Sequence, residues 1–280
     1  MDKNLQDIKK RLEEVGLSLD IYKKLPPKYV RIVSGKTQEG VQQKLGVKLT
    51  QVKGLKDVFV SSDPQVGDCG DMCHVQDLSS FVPVFSLEVR KKDSLLDLCA
   101  APGLKSALAY DLVGGELELT CVDSSRKRYT KMLKYFKLHG IQANTYHMDG
   151  RRFRSGQFDK VLVDVPCSGE GVVSKFTDVS HESNSRVKRR VKVQYGLLKR
   201  GFDLLKPGGL LVYSTCTLNK YENEGVVSRF LKKHPDAVLD LPEIRLDLDV
   251  KQSEFGIRII PGKTRGAFVS RVRKVPRQAK

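Results

Sequence analysis

Apolar residues recur along this chain in two rhythms, one suited to helices and one to buried strands. Residues 2–15 place Leu5, Ile8, Leu12 and Val15 at helical spacing, and Gly16 stops the pattern. Leu25-Pro-Pro-Lys28 is a rigid break, after which residues 29–33 read as a short strand. From there to about Pro64 the chain is basic and weakly patterned. The rhythm changes at residue 67. Residues 94–99 form an apolar run ending in small residues and a Pro-Gly turn, followed by a helical stretch through Leu112 and a second strand over 117–123. Tyr129, Met132, Leu133 and Phe136 then mark a helix over 126–137 with one apolar face. Residues 145–148, 160–164 and 210–214 are three further strands, separated by helical segments, which is the pattern of a doubly wound parallel sheet. Residues 256–260 and 267–272 lie close enough together to form an edge hairpin.

The organisation that follows is a small N-terminal α/β subdomain over 1–66 and a larger Rossmann-like domain over 67–280. The length of 280 residues suits one large domain and a small one. No apolar run is long enough to span a bilayer, and the acids among the first ten residues argue against a signal peptide or organelle presequence. An intracellular protein is expected, cytoplasmic or nuclear and nucleolar, with no membrane association.

Charge narrows the partner class. Fifty Lys and Arg against 33 Asp and Glu leave a formal net charge of +17, which favours a polyanion, and without lipidation motifs nucleic acid leads over lipid. Arg186, Lys188, Arg189, Arg190, Lys192, Lys199 and Arg200 crowd residues 183–202, and residues 263–280 are also basic. Both stretches suit a phosphate-tracking surface; a nuclear-import signal at 188–192 and a disordered basic tail are the alternatives. The basic face of helix 126–137 is either a solvated surface or a further RNA contact. Residues 171–184 are polar and read as a mobile loop near the substrate.

The candidate chemistry lies at strand ends, where open parallel sheets bind ligands. The first large-domain strand ends in Cys99-Ala-Ala-Pro-Gly-Leu-Lys105, small residues that let a ligand approach the backbone and the N–H groups of the next helix. Asp123 follows the second strand and suits ribose hydroxyls, Asp149 follows the third and suits an exocyclic amine, and Asp164 ends the fourth. Each Asp alone is also an ordinary helix N-cap; together with the Pro-Gly turn they favour a nucleoside ligand.

Two of the six cysteines, Cys167 and Cys216, leave neighbouring strands into small-residue turns beside that ligand site. Cys121 lies inside a strand and is expected to be a buried small hydrophobe. A thiolate beside a methyl donor suits carbon 5 of cytosine, which is a poor nucleophile until a thiolate adds to carbon 6. Asp164, protonated in a desolvated site, would then stabilise charge near N3. Cys69, Cys73 and His74 fall one ligand short of a structural zinc site, so no metal is expected, and intracellular thiols are expected to be free.

At these residues the chain resembles the Nop/Sun family of RNA cytosine-5 methyltransferases. The matching stretches are Gln76-Asp-Leu-Ser-Ser-Phe-Val-Pro83, Leu96-Asp-Leu-Cys-Ala-Ala-Pro-Gly103 with Lys105, Asp123, Asp149, Asp164-Val-Pro-Cys-Ser-Gly169, Lys206-Pro-Gly-Gly-Leu-Leu-Val-Tyr-Ser-Thr-Cys216 and Glu222-Asn-Glu224. The resemblance covers roughly residues 67–273. It implies a seven-stranded class I S-adenosylmethionine-dependent methyltransferase domain behind an N-terminal RNA-binding subdomain. It also implies that Cys216 is the nucleophile, that Cys167 assists product release, and that Ala100, Ala101, Pro102, Gly103, Lys105, Asp123, Arg128, Asp149 and Asp164 contact S-adenosylmethionine. Leu104 stands where the family usually has a second glycine, which narrows the expected pocket. Residues 260–266 lack the family's Pro-His and Asp-Gly and receive no role. The expected substrate is tRNA, with rRNA the alternative, and the chain is expected to act as a monomer; an inactive RNA-binding or ribosome-assembly protein on the same scaffold is the non-enzyme reading.

Overall fold

The computed structural model describes residues 3–23, 25–172 and 183–276. The polar segment 173–182, most of the expected substrate loop, and the last residues of the basic tail lie outside the described residues. Helix α1 (Lys3–Glu13) opens the chain, with Ile8 and Leu12 fully buried. Strand β1 (Tyr29–Ile32), helix α2 (Gln38–Leu45), and strands β2 (Leu49–Gln51), β3 (Val58–Ser61) and β4 (Cys73–Val75) follow. These four strands form an antiparallel sheet in the order β2-β3-β1-β4, over a small core that includes Val30, Val41, Leu49 and Phe59.

This small sheet takes its last strand from beyond residue 66, so it reaches past the point where the sequence rhythm changes. Helix α1 does not pack on it. Ile8 and Leu12 instead cluster with Leu218, on the rim of the large sheet. Buried Arg31 joins the small sheet to the rest of the molecule: Nε donates to Gln76 Oε1 at 2.8 Å and Nη1 pairs with Asp111 at 2.5 Å. Cys69 and Cys73 form a disulfide, which corrects the expectation of free thiols and leaves neither sulfur for a metal. The turn at Gly70 brings the Cα atoms of the two cysteines within 5.2 Å, a proximity that spacing alone does not reveal.

Beyond α3 (Phe81–Phe85) the large domain alternates strand and helix: β5 (Ser94–Asp97), α4 (Leu104–Leu112), β6 (Glu118–Asp123), α5 (Arg126–Leu138), β7 (Asn144–His147), β8 (Phe158–Asp164), α6 (Asn184–Asp203), β9 (Leu205–Thr215) and α7 (Glu224–Leu231). Strands β10 (Ala237–Leu239), β11 (Val250–Ser253), β12 (Gly256–Ile259) and β13 (Ala267–Lys274) complete it. The sheet has nine strands in the order β11-β12-β13-β9-β8-β5-β6-β7, with β10 also paired to β13. Strands β5 to β9 pair in parallel, and β13 enters antiparallel beside β9. The expected edge hairpin is therefore an interior element, because β13 bonds β9 on one side and β12 on the other. One core, with α3, α4 and α5, fills one face of the sheet; a second, with α6 and α7, fills the other.

Met132 and Phe136 bury the inner face of α5, but Leu133 is exposed, so the apolar stripe is narrower than the spacing predicts. No helix among the described residues is long and apolar enough to cross a membrane.

Candidate active site

Strand order changes direction at β5, whose neighbours β6 and β8 lie on opposite sides. Past Asp97 the chain feeds both: Leu98 N donates to Leu162 O on β8 and Ala100 N to Val122 O on β6, each at 3.0 Å. This opens the crevice in which such sheets bind ligands. Asp97 is fully buried, accepts from Ser106 Oγ at 2.6 Å and from Cys99 N at 3.2 Å, and so braces the turn against α4. Burial pushes its carboxyl up to about 6. Gly103, at φ 105°, supplies a conformation that side chains disfavour, and a Cβ there would press on Phe136 and Met132 of α5. The peptide bond between Ala101 and Pro102 is cis. Leu104 is the first residue of α4 and half-buried.

The acids that follow the strands are engaged with the protein. Asp123 accepts from Ala101 N at 3.1 Å and Ser125 N at 2.8 Å, tying the Pro-Gly loop to the end of β6. Arg128 reaches the carbonyl of Ala101 and lies 3.6 Å from Asp123. Asp149 caps the short turn after β7 and pairs with Arg151 at 2.5 Å, which holds its carboxyl below the usual range. Of these acids only Asp149 takes the capping role open to it from sequence; the N-cap of α5 is Ser125. A nucleoside donor is nevertheless compatible with the groups present: the partly exposed carboxylates of Asp149 and Asp164, small residues at Ala100 to Gly103 and the first-turn N–H groups of α4 all lie at or beyond the carboxyl ends of parallel strands.

Strands β8 and β9 set the next pair. Their register places Asp164 opposite Ser214, and Ser214 Oγ donates to Asp164 Oδ1 at 2.7 Å. Lys105 Nζ, from α4, binds Asp164 Oδ2 at 2.7 Å. The carboxyl is 29% exposed and ion-paired. The site around this carboxyl is therefore less desolvated than expected, with Lys105 and solvent both in reach.

Beyond the strands, the Sγ atoms of Cys167 and Cys216 come within 3.2 Å. Cys216 is exposed and Cys167 half-buried. The thiol of Cys167 lowers the Cys216 pKa by hydrogen bonding, against burial and Asp164, while Lys105 helps lower it. The same contact, followed by burial, raises Cys167. The contact thus favours ionisation of Cys216 over that of Cys167. Cys121 is buried against Ser106, and burial raises both it and Cys99.

Sequence reading missed what holds the two cysteine loops. Ser168 Oγ bonds Thr217 Oγ1 at 2.7 Å, and Gly171 N donates to Cys216 O at 3.0 Å. Glu222 is fully buried and accepts from Ser168 N at 3.1 Å and Gln194 Nε2 at 2.7 Å. Asn223 bonds Thr215 and Thr217 from below. The stretch without an expected role is structural: Gly266 N donates to Gly171 O at 2.8 Å, and Thr264 and Arg265 bond Asp77. Nothing in the sequence says that Asp77 finds its partners at Thr264 and Arg265.

Beside these loops, α1, α6 and α7 enclose a cleft of about 610 Å³ lined by Lys10, Arg11, Lys188, Lys192 and Arg229, with Asp7 and Glu14 as the acids. Lys188, Arg189, Lys192 and Lys199 of α6 are exposed.

Residues 84–273 match the family model described as 16S rRNA methyltransferase RsmB/F. A probable ribosomal RNA small subunit methyltransferase B from Bacillus subtilis is 36% identical over 214 residues, which are 71% of this chain and 47% of that protein. Ribosomal RNA small subunit methyltransferase F from Erwinia tasmaniensis is 35% identical over 214 residues, 72% of this chain and 45% of that protein. The chain spans about half the length of these curated relatives. The crystal structure of NSun6 from Pyrococcus horikoshii with SFG superposes with a TM-score of 0.82 at 20% identity, covering 98% of each chain. That likeness shows the class I methyltransferase fold.

Proposed function

The chain belongs to the RsmB/F family of 16S rRNA methyltransferases, and from that premise we propose that it methylates carbon 5 of a cytosine in ribosomal RNA, using S-adenosylmethionine. The observation that carries this reading is the contact of the Cys167 and Cys216 sulfurs at 3.2 Å, where β8 and β9 end at Asp164 and Thr215. Nitrogen or protein methylation starts from a nucleophilic atom and needs no thiolate. The relatives named for the small ribosomal subunit support rRNA; tRNA, expected from the compactness of the chain, is the alternative substrate.

S-adenosylmethionine supplies an electrophilic methyl group when bound. Ala100 to Gly103, Lys105, Asp123, Arg128, Asp149 and Asp164 would hold it, through the backbone of the Pro-Gly loop and the carboxylates around it. Cys216, as thiolate, forms the S–C6 bond, and the C5–C6 π pair makes carbon 5 nucleophilic. The Lys105–Asp164 pair provides a proton or hydrogen bond where charge grows at N3. After methylation, the C5 proton passes to solvent, which reaches the exposed Cys216. Its electron pair restores the C5–C6 double bond and the C6–S bond breaks. Cys167, already hydrogen-bonded to Cys216, stabilises the departing thiolate.

A cytosine must be single-stranded or extruded to meet Cys216. The basic α6 and its cleft are where we place the flanking phosphates, and the N-terminal small sheet is proposed as a second RNA contact. Incubation with radiolabelled S-adenosylmethionine and either small-subunit rRNA or tRNA, followed by nucleoside analysis, tests the assignment. 5-Methylcytosine in rRNA is expected. Label in tRNA alone would replace the substrate, and a methyl on nitrogen or no transfer at all would overturn the chemistry.

A further inference from the structure

Helix α1 precedes the span matched by the family model, yet it reaches into the cysteine loops. Arg11 Nε lies 3.0 Å from Glu170 Oε1, with the two side chains 3% and 0% exposed. Glu170 stands three residues after Cys167, and Asn219 three after Cys216. Asn219 Nδ2 donates to the same Glu170 oxygen at 3.2 Å. Tyr22 OH, from the turn Leu19–Tyr22 that follows α1, donates to the Glu170 carbonyl at 2.5 Å.

We propose that Arg11 and Glu170 are positioning residues for the reactive thiol: through Asn219 they lock the two cysteine loops together and hold the two sulfur atoms in contact. The proposal rests on the reading of Cys216 as nucleophile. β9 ends at Thr215, so the separation of the sulfurs depends on ties between the loops. Two of those ties, Ser168–Thr217 and Gly171–Cys216, are local to the loops. The Glu170 carboxylate is the tie that also engages α1. A buried carboxylate needs a partner, and removing Arg11 would leave it without its guanidinium neighbour. Glu170 would then shift or take up a proton, the Asn219 bond would weaken, and Cys167 would no longer donate squarely to Cys216.

The groups facing Glu170 are Arg11, Tyr22, Ser168, Asn219 and, at longer range, Glu222. Those facing Cys216 are Cys167, Asp164, Lys105 and Glu222. The readout is the rate of Cys216 alkylation by iodoacetamide against pH, mapped by peptide mass spectrometry in the full chain. Glu170→Ala and Arg11→Met should move the alkylation midpoint of Cys216 upward and cut kcat by roughly 10- to 100-fold, with KM for RNA little changed. Glu170→Gln, which keeps an acceptor for Asn219, and Arg11→Lys, which keeps the charge, should recover much of both. These conservative variants decide the matter if the truncations fail to fold. An unchanged alkylation profile in folded Glu170→Ala or Arg11→Met, or in both conservative variants should neither truncation fold, overturns the proposal. Alkylation needs neither RNA nor methyl donor, so an inactive wild type with a normal variant shift would instead count against the proposed function.

Discussion

The Cys216 sulfur lies 3.2 Å from that of Cys167, although 49 residues separate them in sequence. The parallel register of β8 and β9, ending at Asp164 opposite Ser214, brings the two cysteine loops side by side, and the bonds between the loops close the remaining gap. Because the contact lowers Cys216 and raises Cys167, brief alkylation near neutral pH should label Cys216 first. Cys99 and Cys121, both raised by burial, should lag. Peptide mapping checks the order, and Cys167 labelling ahead of Cys216 would reverse the assigned polarity.

Gly171 is fixed by a close backbone approach. A Cβ there would collide with the Gly266 carbonyl and lie 2.9 Å from the Cys216 carbonyl oxygen. Gly171→Ala should cost about 1–3 kcal/mol, as overpacking does, and also slow methyl transfer by parting the two loops. Denaturant unfolding together with single-turnover rates tests both effects; wild-type stability would mean that the loops slide apart freely.

Asp97 makes stability depend on pH. Its carboxyl binds a proton more tightly folded than unfolded, so its contribution is full below the unfolded value and is lost as pH rises from about 4 to about 6. Across that window the contribution is of the order of 3 kcal/mol. Asp97→Asn, which cannot ionise, should flatten this part of the stability curve relative to the wild type. Urea midpoints measured between about pH 4 and 7 for both proteins provide the comparison; parallel curves would count against a raised Asp97.

Lys188 and Lys192 are exposed on α6 and line the cleft beside the cysteine loops. Replacing both with Glu should weaken RNA binding and flatten its dependence on salt, the logarithmic slope falling by about 1 for each phosphate that is no longer neutralised. S-adenosylmethionine affinity should not move. Filter binding at several salt concentrations reads the first effect and calorimetry the second. An unaltered slope would place the RNA elsewhere.

The large domain was legible because its strands are apolar runs that stop at small residues or acids, as at Asp97, Asp123 and Asp164. Strand order was harder. β13 has the same apolar character as an edge strand, and its place beside β9 depends on pairing such as Val269 with Ser214, which no local pattern encodes. The small sheet was mostly missed because β2 buries only Leu49 and exposes Thr50 and Gln51. Cys216 and Cys167 could be read from their turns. Glu170, Glu222 and Arg11 could not, because each acts through partners far along the chain, 159 residues away for the Arg11–Glu170 pair. The disulfide at Cys69 and Cys73 is not legible because compartment argues for free thiols, whereas the tight turn brings the two Cα atoms within 5.2 Å.

The most direct test of the account is a denaturing gel of the protein incubated with cytosine-containing RNA and S-adenosylmethionine. Cys167→Ala should accumulate a slowly migrating protein–RNA adduct that survives denaturation, because bond breaking at C6 is slowed. Adding Cys216→Ala should abolish both the adduct and methyl transfer. Full methyl transfer by Cys216→Ala, or an adduct that persists without that sulfur, would contradict covalent catalysis at this position.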